Sequence, residues 1–210
     1  KKMLEIEKIT SPEMDVNTYV VWQEGAGEAI VIDPSFAADR VLACLHAERL
    51  QCRAILLTHG HFDHIGAASA IKDAAGAKTM LPKEDRSLFL NPRSGGDIFP
   101  SYDGYRGEEP DVLLADGDEI VLDEVRLTVL HTPGHTPGSC LLCGNGFAFT
   151  GDTLFAGSIG RTDFIGGDIA AMRGSLQKIK GIKENIRILP GHGPESALAQ
   201  EMQSNPYLAF

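Results

Sequence analysis

The run Thr58-His59-Gly60-His61-Phe62-Asp63-His64 constrains this chain more than any other stretch. It places four potential metal ligands within the six residues from His59 to His64. It also follows the apolar residues Ala54-Ile55-Leu56-Leu57, which read as the middle of a strand from Arg53 to Thr58, buried on both faces. A fold must therefore bring these hydrated groups to a strand end, where burial is costly unless something binds them. If the chain stays extended past Thr58, His59 and His61 share one side and can grip one ion. The bend into the next helix turns Asp63 and His64 to a neighbouring position. Neutral imidazole and carboxylate suit zinc, and without a thiolate in the cluster iron and manganese fit as well. A polar surface turn would explain one histidine there, but three with an aspartate point to metal.

Three later residues share the same local setting, a loop just after a predicted strand. His135 lies in Thr132-Pro133-Gly134-His135-Thr136-Pro137-Gly138, Asp152 in Thr150-Gly151-Asp152-Thr153, and His192 in Pro190-Gly191-His192-Gly193-Pro194. Singly, each is an ordinary turn residue. Jointly, three strand-end loops with one ligand apiece can converge on one sheet edge, and flanking glycines let backbone come close to an ion.

The rest of the pattern supplies the frame. Strands are predicted at Leu4–Ile9, Thr18–Trp22, Glu28–Ile32, Lys78–Leu81, Glu119–Leu122, Val125–His131, Ser139–Cys143, Phe147–Thr150 and Ile186–Leu189. Helices are predicted at Phe36–Leu50, Gly66–Ala75, Lys83–Leu90, Ile169–Lys180 and from about Pro194 to Ser204, with loops at His59–Ile65, Asn91–Pro110 and Gly151–Asp168. Strands at both ends with helices between suit two sheets packed together under helices, an α+β arrangement. Cys140 and Cys143 form a CxxC, but residues three apart on a strand face opposite sides, so structural thiols are expected rather than a metal or redox pair. No apolar run approaches the roughly 20 residues of a membrane span, and Lys1 to Glu7 alternates rather than reading as a signal peptide. A formal charge of −10 argues against a nucleic-acid partner, and sparse cysteine accords with a cytoplasmic location.

The HxHxDH of His59 to His64, followed in order by His135, Asp152 and His192, resembles the signature of the metallo-β-lactamase superfamily over nearly the whole chain. The resemblance implies a four-layered αββα sandwich, two mixed sheets with helices on the outer faces, spanning 1–210 as a single metallo-hydrolase domain. It implies two divalent ions, one on His59, His61 and His135, the other on Asp63, His64 and His192, with Asp152 bridging. Asp63 and Asp152 would then have catalytic parts, and Asp33, with Thr58, would support the ligand loop from outside. Asp33 in Ile32-Asp33-Pro34 reads equally as an ordinary turn residue.

Within the superfamily, Asp152 stands where common zinc β-lactamases carry cysteine, and His61 where flavin-linked diiron members carry glutamate. The runs Gly151-Asp152-Thr153-Leu154-Phe155 and Gly160-Arg161-Thr162-Asp163-Phe164, with Asn205-Pro206-Tyr207 near the end, are similar to short glyoxalase II-like hydrolases. With 18 residues after His192 (210 − 192), the helical glutathione-binding domain of longer enzymes is not expected here. The implied activity is hydrolysis of a thioester such as S-lactoylglutathione, a small-molecule substrate, and zinc is the leading metal. The related persulfide dioxygenases are the main alternative, with a single iron on His59, His135 and Asp152. Hydrolysis of another ester or a lactone, or a non-catalytic metal-binding role, are further alternatives. Arg161, Lys83, Arg93 and Tyr105 are candidate substrate contacts, alongside Arg86, Tyr102 and Arg106 in and around the 91–110 loop.

Overall fold

The computed structural model describes residues 3–91 and 105–209. Strands β1 (Leu4–Thr10), β2 (Asn17–Gln23) and β3 (Glu28–Ile32) form an antiparallel meander. Beyond it β4 (Gln51–Leu56), β5 (Lys78–Pro82) and β6 (Val112–Leu114) add in parallel, completing a six-stranded sheet. Its connections carry α1 (Ala38–Ala47), α2 (Phe62–Ile65), α3 (Ala68–Ala75), a 3₁₀ turn (Lys83–Asp85) and α4 (Arg86–Leu90). The second six-stranded sheet begins with the antiparallel strands β7 (Glu119–Leu122), β8 (Val125–His131), β9 (Cys140–Gly144) and β10 (Phe147–Gly151). After a small β11 (Leu154–Phe155) and β12 (Ser158–Ile159) ladder and α5 (Ile169–Lys180), β13 (Arg187–Pro190) joins β10 in parallel. The antiparallel β14 (Ser196–Ala197) closes that edge and leads into α6 (Leu198–Ser204).

Period-two alternation sorts these strands into layers. On β3, Ala29 and Val31 face Val41 and Leu45 of α1 and Ile71 of α3. Ile30 and Ile32 face the other way, into a core shared with Leu127, Leu142, Phe149 and Leu189 of the second sheet. On the far side of that sheet Leu141, Ala148 and Ile188 pack against Met172, Leu176 and Ile179 of α5 and Leu198 of α6. The result is the expected α+β, αββα sandwich of two mixed sheets. The CxxC thiols diverge as strand geometry requires: Cys140 lies in the middle core and Cys143 packs on the helical face, both free. Among the described residues no helix is long and apolar enough to cross a membrane.

Three local expectations are corrected, and one strand is added. The predicted loop His59–Ile65 contains the single helical turn α2, and the predicted loop Gly151–Asp168 contains the β11–β12 ladder. The last helix starts at Leu198 rather than Pro194, because Ser196 and Ala197 pair with β13. A short strand, β6, follows residues 92–104, most of the predicted 91–110 loop, which lie outside the described residues.

Phe149 sits fully buried between the sheets, its ring 5.0 Å from that of Tyr19. Phe149→Ala is expected to cost about 3–5 kcal/mol, read as a lowered urea midpoint with an unchanged slope.

Candidate metal centre

All seven sequence-predicted ligands meet at one end of the sandwich, and backbone bonds between their loops hold them there. Cys140 N–H donates to Thr58 C=O, joining the ends of β9 and β4 across the two sheets. Gly191 N–H donates to Gly151 C=O, tying the loop of His192 to that of Asp152, while Asn17 N–H donates to Gly191 C=O. The Asn17 amide adds bonds to the carbonyls of Pro190 and Gly193, and the Tyr19 hydroxyl donates to Pro190 C=O at 2.8 Å. Gly191 must be glycine, since a Cβ there would lie 2.4 Å from Asp152 Oδ1 and 2.6 Å from the His64 ring.

Hydrogen bonds around the rings aim their free nitrogens inward. Asp33, held at φ +47°, accepts from Thr58 N–H and Thr58 Oγ1 and, through Oδ2, from His64 Nδ1 at 3.0 Å. With its own proton given to Asp33, Thr58 Oγ1 accepts from His59 Nδ1 at 3.1 Å. His135 Nδ1 donates to the Arg161 carbonyl at 2.8 Å. The Nε2 atoms of His59 and His64 are thereby turned inward, as is that of His135, which lies 2.8 Å from His61 Nδ1, the arrangement that orients metal-binding histidines.

Two groups of three ligand atoms result, His59 with His61 and His135, and Asp63 with His64 and His192, each with its atoms within 4.8 Å of one another. In the first, the rings stand nearly perpendicular to one another at 4.6–4.9 Å. Asp152 spans both groups: Oδ2 lies 3.4 Å from His135 Nε2 and 3.5 Å from His192 Nε2, and Oδ1 lies 3.3 Å from His64 Nε2. A third grouping, Asp33 with His59 and His64, also falls within the distance. The Asp33 oxygens are already taken up by Thr58 and His64, so it supports rather than binds. Buried Nε2 atoms of His59, His61 and His64 and Oδ1 of Asp152 have no hydrogen-bond partner. Such unpartnered polar atoms are expensive in a protein interior, and a shared cation would satisfy them. The donor set therefore fits divalent metal.

Electrostatics divide the histidines. Burial holds His59 well below its ordinary pKa and brings His61 down to about 4, with the neighbouring imidazoles acting in the same direction. Burial acts against charge on His64 and His192 too, but the surrounding aspartates prevail: His64 is pushed well above its usual value by Asp152, Asp63 and Asp33. His192 rises to about 9 through Asp152 and Asp63. Burial favours neutral Asp63 and Asp152, yet His64 and His192 hold both below the usual carboxylate range.

The centre opens on the His192 side, whose side chain is 27% exposed against 0–10% for His64, Asp63, His135 and Asp152. Phe155 stands edge-on to His192 at 5.9 Å and Phe164 edge-on to His61 at 5.6 Å, forming apolar walls. The buried Glu201 carboxylate and Asn205 amide hold the β11–β12 turn that carries Phe155. Arg161 lies with its guanidinium 4.0 Å over Phe164 and pairs with Asp163. Lys83 is exposed and lies 3.9 Å from Glu84. The Tyr105 hydroxyl donates to the Phe89 carbonyl within the helix-side core, Arg86 pairs with Glu109, and Arg106 with Asp73 and Glu108. Arg93 and Tyr102 lie outside the described residues. Sequence reasoning missed Asn17, Tyr19, Phe155 and Phe164 as parts of the site. Only the two phenylalanines left a signal, by lying inside the family-like runs.

The metallo-beta-lactamase superfamily pattern matches residues 12–192, and the chain belongs to that superfamily of metallo-hydrolases, with a divalent-metal site at the sandwich end. It is 36% identical over 217 positions to hydroxyacylglutathione hydrolase GloC of Haemophilus influenzae, covering 98% of each chain. Among solved structures it is similar to BLEG-1 B3 metallo-beta-lactamase, with a TM-score of 0.89 and 34% identity over 98% of this chain and 100% of that one. TTHA1623 in a di-iron-bound form gives a TM-score of 0.82 and 34% identity, covering 96% of this chain and 100% of the other. ETHE1 from Myxococcus xanthus gives 0.78 and 26%, covering 98% and 84%.

Because the aspartates push His192 up to about 9 and His64 in the same direction, metal uptake is expected to expel protons. Calorimetric titration with zinc in buffers of different ionisation enthalpy is expected to show proton release at pH 7.5. The His192 contribution should fade as pH rises through about 9. A buffer-independent enthalpy at pH 7.5 would contradict the assignment.

Proposed function

We propose that this chain hydrolyses a thioester, S-lactoylglutathione or a related acyl-thiol, with two divalent ions, zinc first and iron or manganese compatible with the same donors. The observation that carries the reading is Asp152, a single buried carboxylate facing both histidine groups at 3.3–3.5 Å. The likeness to hydroxyacylglutathione hydrolase GloC supports the thioester, and the di-iron form of TTHA1623 supports a pair of ions. Bound there, the ions supply a water that ionises near neutral pH and an electrophile for a carbonyl oxygen.

The protein's own residues hold and orient. His59, His61 and His135 would hold one ion and Asp63, His64 and His192 the other, with Asp152 facing both groups. Asp63, 3.5 Å from His192 on the open side, would steer the attacking water as well as bind metal. Phe155 and Phe164 exclude bulk water, which strengthens every charge interaction inside. As the acyl carbon–sulfur bond breaks, the thiolate takes the electron pair, and it is a stable enough anion to leave without a dedicated acid. Arg161 and Lys83 are the proposed contacts for an acidic thiol carrier, with Arg93 and Tyr105 the weaker candidates. Four free thiols accord with a reducing cytoplasm, and one hydrolase domain is proposed over 1–210.

A second reading, a persulfide dioxygenase with one iron on His59, His135 and Asp152, is favoured by the ETHE1 likeness. The BLEG-1 likeness adds a β-lactam to the substrates worth testing. The test runs S-lactoylglutathione hydrolysis, β-lactam hydrolysis and glutathione-persulfide oxygen uptake in parallel, with metal analysis. Thiol release with two metals per chain is expected, and Asp152→Ala should lower it by more than roughly 100-fold, beyond the loss of an outer hydrogen bond. Oxygen uptake with one iron per chain would favour the second reading. Full turnover by Asp152→Ala with both metals retained would contradict the scheme.

A further inference from the structure

One further buried carboxylate reaches both segments that supply the first histidine trio. Asp85 ends the 3₁₀ turn after β5 and is 1% exposed. Its Oδ2 accepts from Gly60 N–H at 2.8 Å and from the Thr136 hydroxyl at 2.6 Å, and its Oδ1 accepts from Gly138 N–H at 2.7 Å. Gly60 lies between His59 and His61, and Thr136 directly follows His135, so both anchors on Oδ2 sit one residue from ligands of the same trio. The fit is close: a Cβ on Gly138 would lie 2.6 Å from Asp85 Cγ. The backbone bond from Cys140 to Thr58 joins these segments nearer their strand ends, which leaves Asp85 to fix their tips.

The chemistry of the contact is specific to a carboxylate. All three partners are donors, and an asparagine would have to aim its amide hydrogens at one of them. Among the described residues Asp85 forms no ion pair; burial pushes its carboxyl above the usual carboxylate range, while the three hydrogen bonds and the nearby His135 act in the other direction. That arrangement favours a cation close by and holds the two loops at one separation.

We propose that Asp85 is a positioning residue that sets the spacing of His59 and His61 against His135, and with it the metal affinity of that trio, while touching neither ion nor substrate. It rests on the metal-site reading but not on the choice of substrate. The test compares Asp85→Asn and Thr136→Val with the conservative Thr136→Ser, using cobalt(II) as the probe. Chelator competition should show cobalt bound roughly 10- to 100-fold more weakly in the first two variants, with altered visible absorption bands, and wild-type values in Thr136→Ser. If Asp85→Asn does not fold, the Thr136 pair decides. Wild-type affinity and absorption in Asp85→Asn or Thr136→Val, even with a lowered melting temperature, would overturn the proposal. A wild-type chain that binds no cobalt would overturn the metal-site reading and this proposal with it. One that binds cobalt as described but cleaves no thioester would overturn only the substrate assignment.

Discussion

Buried negative charge in search of a positive partner organises this molecule. Asp33, Asp63, Asp85 and Asp152 are all buried around one end of the sandwich, while the same burial keeps His59 and His61 neutral. Without a cation the aspartates draw protons onto His64 and His192, and buried polar atoms of His59, His61 and Asp152 still find no partner. Divalent ions carry twice the charge and accept lone pairs from several sides. The polar groups at this end, costly on their own, become mutually supportive once ions are present.

The fold meets that requirement through its loops rather than its core. Every candidate ligand lies in a loop or single helical turn that follows a strand, where backbone groups not used in ladders can tie one loop to another. The Gly151–Gly191 and Asn17–Gly191 bonds are examples. Side chains then fix ring orientation: Asp33 through Thr58 and His64, and the Arg161 carbonyl through His135. The hydrophobic layers behind serve as a stiff mount, with Tyr19 belonging to both, its ring on Phe149 and its hydroxyl on Pro190.

The sequence disclosed what is concentrated or periodic. Four ligands in six residues stand out in any reading of the chain, and alternating strands such as β1 and β8 are long enough to show which face is apolar. What it hid was short or non-local. Strands of two or three residues, such as β6, β11 and β14, show no alternation, and the four-residue α2 is too short to show helical spacing. Asp85 sits in Lys83-Glu84-Asp85-Arg86, which reads as charged surface. Its burial depends on segments 25 and 51–53 residues away in sequence. Phe155 and Phe164 look like any other apolar residues until the loops fold around His192 and His61.

The division of ligands between the sheets has a mechanical consequence. His59, His61, Asp63 and His64 extend from the first sheet, whereas His135, Asp152 and His192 extend from the second. Each trio draws on both halves, so an ion held by either acts as a rivet through the sandwich. Sliding one sheet over the other would tear the coordination apart, and loading the protein thus couples the rigidity of its two halves to the same event that equips it for chemistry.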